Sequence, residues 1–307
     1  MSAKDFPLVS VVSINYNTPG VTAEMIESFR KVTYPNIELI IVDNASTQGN
    51  VDELKAKYPE IKLFKSNVNL GFAGGNNLGI RQANGKYILL LNNDTEVEPG
   101  FLEPLVDTLE RNPQIGAVSP KIYFHHTENM LQYAGFTPIN RYTVRSKGIG
   151  HSEFDRGQYD NDYETAYAHG AAMMVPIRII REVGLMADIY FLYYEELDWA
   201  QRIKDAGYKI HYVHSSVVYH KESVSTGKSS PLKTYYINRS RILFIRRNFS
   251  GLSYLISILF LLFISVPKNI ITFTLKGDFK LLSAYLKGVG WHVNHLSARE
   301  VQYTPVL

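Results

Sequence analysis

Apolar residues in this chain come in short blocks, each closed by a patch of polar side chains. Leu8 to Ile14, Ile37 to Val42, the shorter Ile61 to Lys65 and Lys86 to Leu91 are such blocks. They are too short for free-standing helices, and a nearly continuous aliphatic run of this length reads as a strand buried on both faces. Between them the pattern turns helical. Thr18-Pro19 offers an N-cap followed by proline at the first helical position and predicts a helix to about Lys31, Pro35-Asn36 breaks the chain, and a second helix is predicted from about Gln48 to Tyr58. The βαβα alternation predicts an α/β fold built on a doubly wound, mostly parallel sheet.

In open sheets of this kind ligands bind outside the carboxyl ends of the strands. Those ends here carry Asn15-Tyr16-Asn17, Asp43-Asn44-Ala45-Ser46, the segment from Asn67 to Asn77, and Asn92-Asn93-Asp94. The block 86–91 reads as the central strand, so Asp94 is delivered into the ligand crevice. Asn69-Leu70-Gly71-Phe72-Ala73-Gly74-Gly75-Asn76-Asn77 differs from the dinucleotide-binding GxGxxG motif in spacing and does not follow the first strand, which argues against a Rossmann dehydrogenase. Its paired asparagines set it apart from a plain glycine turn opening a helix. Asp43 can accept a hydrogen bond from a pyrimidine N3–H or from ribose hydroxyls, and Tyr16 can stack on a base. The structural alternative for Asp43 is an Asx-turn or cap before the next helix.

The second half adds further chemistry. Residues 116–168 are expected to be irregular, and His169-Gly170-Ala171-Ala172-Met173-Met174-Val175 then resumes an apolar strand, which makes the loop before it a pocket wall. His169 reads either as a sugar contact or as a structural hydrogen-bonder. Phe191-Leu192-Tyr193-Tyr194 reads as an aromatic-rich strand, after which Glu195, Glu196 and Asp198 open a helix closed by Gly207. Acids in a first turn favour the positive end of a helix, but that does not account for the aromatic run before them. His220, in Val218-Tyr219-His220-Lys221-Glu222-Ser223, reads as a metal or phosphate neighbour or as a loop histidine.

Composition narrows the class. With 307 residues and 45% hydrophobic content the chain can bury a full core, and the absence of cysteine excludes disulfide scaffolds and thiolate-ligated metals. Met1 to Pro7 lack an apolar core of secretory length, so the chain is expected to start in the cytoplasm. The net charge of +3 is uneven: residues 231–307 hold ten Lys/Arg against two Asp/Glu, a surplus of +8, whereas residues 1–230 sum to −5. Those basic residues flank the uncharged run from Gly251 to Val266, a pattern that suits an anionic membrane surface better than nucleic acid. Tyr235 to Arg247 reads as a basic amphipathic helix. The uncharged run falls short of the roughly 20 residues that span a bilayer unless a kinked helix continues past Pro267 to Leu275, so a helix lying on the inner leaflet is expected, with a buried core helix as the alternative.

The four polar strand ends, in this order and spacing, resemble glycosyltransferase family 2, the inverting nucleotide-sugar transferases of GT-A fold, and within it bacterial rhamnosyltransferases of surface-polysaccharide synthesis. The resemblance covers residues 8 to about 250. It implies a GT-A catalytic domain over residues 1–230, with nucleotide-sugar binding in 1–120 and the acceptor and catalytic half in 121–230, and a membrane-associating region over 231–307. It places the donor at Asn15, Tyr16, Asn17, Asp43, Asn69, Gly71, Gly75, Asn76, Asn92, Asn93, His169 and Gly170. The family's DxD element is here Asn92-Asn93-Asp94, which keeps the last carboxylate, so the resemblance puts Mg²⁺ or Mn²⁺ on Asp94, with His220 near the metal or diphosphate. The family's Glu-Asp-x-Asp motif corresponds to Glu195-Glu196-Leu197-Asp198, and its second acid, the general base, to Glu196. Glutamate replaces aspartate there, so Glu195 and Asp198 stay open as alternatives.

The expected partners are a nucleotide-diphosphate sugar, dTDP-rhamnose ahead of UDP-hexoses or UDP-HexNAc, a lipid-linked glycan acceptor, the cytoplasmic face of the cell membrane, and a second copy of the chain. Two other classes use similar sheets. A sugar nucleotidyltransferase would want a basic glycine-rich loop after its first strand, and residues 15–20 contain no Lys or Arg. A non-catalytic nucleotide-sugar-binding protein would need neither Asp94 nor Glu196.

Overall fold

The computed structural model describes residues 6–221 and 230–296. The four apolar blocks form the parallel strands β1 (Val9–Asn15), β2 (Ile37–Asp43), β3 (Lys62–Lys65) and β4 (Tyr87–Leu91), ordered β4-β1-β2-β3. Alternate residues of the central strands face opposite cores. Val9, Val11, Leu39, Ile41, Leu89 and Leu91 pack with Met25, Ile26 and Phe29 of α1 (Pro19–Phe29), whereas Val12, Ile40, Val42, Ile88 and Leu90 pack with Ala73 and Ile80 of α3 (Gly71–Arg81). Burial on both faces explains why these strands lack polar alternation. Between α1 and α3, the helix α2 (Asp52–Lys57) is shorter than the span expected from Gln48 to Tyr58.

The second half corrects one expectation. Residues 116–168, expected to be irregular, begin with most of β6 (Ile115–Phe124), which lies inside the sheet. Gly116 and Pro120 interrupt its apolar run and hide it from pattern reading; opposite Pro120, which has no N–H to give, the ladder to the next strand shifts register between Val213 and Val217. The other elements are β5 (Thr95–Val97), α4 (Leu102–Arg111), the short β7 (Leu131–Tyr133), β8 (Gly135–Phe136), β9 (Gly148–Ile149) and β10 (Tyr163–Glu164), β11 (Ala172–Pro176), α5 (Ile177–Val183), α6 (Glu195–Asp205) and β12 (Lys209–His220). The main sheet is mixed, in the order β10-β12-β6-β11-β4-β1-β2-β3, because β11 runs antiparallel to β4 and β6.

The C-terminal segment starts with α7 (Pro231–Asn248), whose Leu243, Phe244 and Ile245 form a third core with Val144, Ala187 and Tyr190. Its arginines correct the reading of a helix that turns its basic residues to a membrane. Arg239 donates to the Ile189 carbonyl (2.6 Å), Arg241 to Thr143 (2.6 Å), Arg246 to His295 (3.0 Å), and Arg247 to Asp198 (2.9 Å). Beyond it, α8 (Gly251–Phe260), a π-helical turn over Leu261–Ser265 and α9 (Val266–Leu275) make one apolar helix of 25 residues. Pro267 sits in the first turn of α9 and does not end it. By length and composition this helix can cross a membrane, and Leu255, Leu259, Phe263 and Ile271 are exposed along it. The last helix, α10 (Phe279–Asn294), packs back on α7, where the His292 ring bonds the Arg239 carbonyl at 2.9 Å.

The ion pair that pins α7 to α6 has a measurable weight. Arg247→Leu leaves Asp198, 1% exposed, with Arg202 as its remaining cation. The loss in urea unfolding should fall below the roughly 3–5 kcal/mol of an orphaned buried charge and above the roughly 1 kcal/mol of an exposed pair.

Candidate active site

The strand ends are tied together by asparagines. Asn44, at the end of β2, donates to the Asn69 side chain (3.1 Å) and the Gly71 carbonyl (3.0 Å) and accepts from the Leu70 N–H (2.8 Å), which fixes where α3 begins. Asn15 donates to Asp43 (2.8 Å) and accepts from Thr22 (2.8 Å), whose hydroxyl also accepts from Asn93 (2.9 Å). Asn17 caps two N–H groups, of Thr47 and Gln48. Above this frame opens a cavity of about 390 Å³.

The expected donor-binding residues divide accordingly. Tyr16, Asn69, Gly71, Asn76, Asn92, Asn93, His169 and Gly170 line the cavity. Asn15, Asn17, Asp43 and Gly75 lie outside its lining; Asn15, Asn17 and Asp43 hold the frame, and a Cβ on Gly75 would meet Ile14 at 2.9 Å. His169 accepts from the Ala171 N–H on Nδ1 (3.1 Å), which puts its proton on Nε2, and burial pushes its pKa down to about 3. It is a neutral donor facing the pocket.

The acids reach the cavity through a strained turn. Phe191 to Tyr194, expected to be a strand, is a turn in which Phe191, Tyr193 and Tyr194 have φ of 63°, 66° and 74°. Such conformations cost of order 1–3 kcal/mol each and persist where the surroundings overdetermine them. The surroundings are α7 and α3. Arg239 donates to the Tyr190 carbonyl, Ser240 donates to that of Leu192 (2.9 Å), and the Phe72 N–H donates to that of Phe191 (2.6 Å). A Cβ at Gly71 (φ 70°) would sit 2.2 Å from the Phe191 oxygen, so this contact requires glycine.

Glu195 and Glu196 follow and both line the cavity, and each has one carboxyl oxygen buried without a hydrogen-bond partner. Burial pushes Glu196 up to about 7, and burial together with the neighbouring Glu196 pushes Glu195 well above the carboxylate range. Gly170 faces Glu196, its missing Cβ standing 3.9 Å from the carboxyl carbon. Glu195 and Asp198 are both buried, at 3% and 1% exposure. Asp198 lies outside the cavity lining and accepts from Tyr190, Arg202, Arg247 and Asn248; against its burial, Arg247, Arg202 and Asn248 hold its pKa low.

In the same cavity lining, β5 begins immediately after Asp94 and pairs antiparallel with the end of β12, so His220 is set against Thr95. The His220 Nε2 then lies 3.0 Å from the Asp94 Oδ1, and its Nδ1 lies 2.8 Å from the Gln132 Oε1, which orients the ring. An imidazole oriented by a second partner, beside a carboxylate, is a donor set suited to Mn²⁺ or Mg²⁺ when phosphate and water supply the other ligands. Among the described residues no group of three or more His, Cys, Asp or Glu gathers, so protein atoms alone do not complete a metal site. Sequence reading missed Gln132, because a lone glutamine inside an irregular stretch carries no pattern.

The model of the glycosyl transferase family 2 domain matches residues 10–183. The chain belongs to glycosyl transferase family 2. It is a glycosyltransferase of GT-A fold. It is 24% identical over 272 residues to an N-acetylglucosaminyl-diphospho-decaprenol L-rhamnosyltransferase of Mycobacterium tuberculosis, covering 80% of this chain and 86% of the relative. A low-salt glycan biosynthesis hexosyltransferase of Haloferax volcanii, Agl10, is 26% identical over 64% of this chain and 61% of its own length. Among solved structures, a Pyrobaculum calidifontis mannosyltransferase with GDP-Man and Mn²⁺ aligns at TM-score 0.58 and 16% identity over 96% of this chain and 76% of that one. GalNAc-T7 with UDP, GalNAc and Mn²⁺ aligns at 0.62 and 19% identity over 76% of this chain, which spans about half of that longer chain (48%).

The raised Glu196 pKa fixes the sign of a stability effect. Between its ordinary 4.5 and about 7 the folded state holds a proton that the unfolded state has lost, so wild-type stability falls as pH rises through that window. Glu196→Gln does not titrate. Urea unfolding should show the variant gaining on wild type between pH 4 and 8, with the two close at the acid end.

Proposed function

We propose that this family 2 enzyme transfers a sugar, with inversion, from a nucleotide-diphosphate donor to a hydroxyl of a lipid-linked glycan at the cytoplasmic face of the membrane. The first candidate donor is dTDP-rhamnose, supported by the name of the mycobacterial relative. The observation that carries the reading is that Asp94, His220 and Glu196 line one and the same cavity.

Glu196 takes the proton of the acceptor hydroxyl. A base with a pKa near 7 is half-ionised at neutral pH and keeps enough basicity to accept a proton. Glu195, more reluctant to ionise, keeps a second charge from forming beside it, while Asp198 anchors the helix that carries both. Tyr16, Asn69, Asn76 and Asn92 hold the donor, and the His169 Nε2–H is a hydrogen-bond donor for its sugar. Asp94 and His220 are the residues that would hold Mg²⁺ or Mn²⁺, whose charge would offset that of the departing diphosphate. The 25-residue apolar helix, with exposed Lys268, Lys276, Lys280 and Lys287 on and after it, supports attachment to an anionic bilayer.

Transfer measured with dTDP-rhamnose, UDP-hexoses and UDP-HexNAc, with product anomers read by NMR, tests the reaction. An inverted product made from dTDP-rhamnose is expected, lost on chelation with EDTA. Glu196→Gln should keep donor binding and lose transfer by about 10²–10⁴-fold. A retained anomer, or full activity in the variant, would refute this assignment.

Deleting 231–307 would also strip Arg247 from Asp198, so surface substitutions test the membrane more cleanly. Leu255→Glu, Leu259→Glu and Phe263→Glu combined should abolish co-sedimentation with anionic vesicles, since each large apolar side chain contributes about 1.5–3 kcal/mol on burial. Unchanged sedimentation would exclude this helix as the anchor.

A further inference from the structure

The cavity wall carries three carboxyls, Asp94, Glu195 and Glu196, and a nucleoside diphosphate brings further negative charge among them. Among the described lining residues Lys233 alone is a lysine or arginine. Other lysines of the sheet's edge are already neutralised: Lys121 pairs with Asp155 and Asp160, and Lys221 with Glu24 and Glu96. The Lys233 ammonium pairs with no carboxylate among the described residues, although its backbone is fixed, its N–H donating to the Ser230 hydroxyl at 3.1 Å where α7 starts. One turn on, Tyr236 stacks on Phe191 (centroids 4.8 Å apart, planes 20° apart), whose carbonyl receives the Phe72 N–H of α3. These contacts fix the start of α7, and with it Lys233 in the cavity lining, beside the turn at Phe191 that meets the start of α3.

We infer that Lys233 is a further catalytic residue, whose ammonium binds the donor diphosphate and stabilises the charge that gathers on it as the sugar leaves. This rests on the donor proposed above. In that step the bond from the anomeric carbon to the diphosphate oxygen breaks and its electron pair stays on the phosphate. The acceptor oxygen forms the new bond and gives its proton to Glu196. Lys233 transfers no proton in this step and acts by charge alone, in a site where a fixed cation needs no reorganisation as charge develops.

Equilibrium binding separates this role from a structural one. UDP, GDP and dTDP are titrated against uridine, guanosine and thymidine, with Mn²⁺, for wild type, Lys233→Met and Lys233→Arg. Lys233→Met should weaken the preferred nucleoside diphosphate by about 10- to 100-fold, leave the matching nucleoside unchanged, and lower kcat by about 10²–10³-fold, with Lys233→Arg recovering most of both. Equal losses for diphosphate and nucleoside, or no loss of either, would overturn the Lys233 role alone. A wild-type chain that binds none of the three diphosphates would overturn the donor reading and this inference together.

Discussion

A carboxylate removed from water has to be surrounded by donors, and Asp198 gathers them from three parts of the chain. Tyr190 comes from the turn before α6, Arg202 from α6 itself, and Arg247 with Asn248 from the end of α7. A single buried charge therefore ties the C-terminal segment to the element that presents Glu196. The same α7 holds the carbonyls of Tyr190 and Leu192 through Arg239 and Ser240, which keeps three residues in left-handed conformations. One helix, α7, thus contributes both to holding that turn and to satisfying Asp198.

The sheet supplies another part of the cavity lining by a different constraint. Strands buried on both faces leave only their ends for polar groups, and the parallel strands put those ends on one edge. The antiparallel return of β12 beside β5 then brings His220 within 3.0 Å of Asp94, though 125 residues of chain separate Thr95 from His220. Asp94 and His220 reach the cavity from the sheet, and Glu196 reaches the same cavity from the start of α6, which α7 clamps.

Charge within the cavity follows from the same packing. Both glutamates have a carboxyl oxygen out of water, and burial together with the neighbouring Glu196 raises Glu195 well above the carboxylate range, an effect that Arg239 offsets only in part. Arg239, Arg241 and Arg247 are committed to carbonyls and to Asp198. The basic character of the tail is thus partly structural. What remains exposed is apolar surface on α8 and α9 and the lysines beyond it.

The sequence alone determined the parallel strands β1 to β4, the polar strand ends, Asp94 at the central one, and the acid-rich start of α6, because each is encoded within a few neighbouring residues as an unbroken apolar run or a first-turn cluster. The resemblance of those motifs also located the family. It did not reveal β6, whose Gly116 and Pro120 break the local pattern, nor the turn at Phe191–Tyr194, whose aromatic composition imitates a strand. Nor could it show which of Glu195, Glu196 and Asp198 meets the cavity, that Asn15 and Asp43 bind each other, or that Gln132 orients His220. Those outcomes depend on pairings between residues far apart in the chain, where burial and the need to satisfy every buried polar group choose the partner, and only the tertiary structure makes that choice.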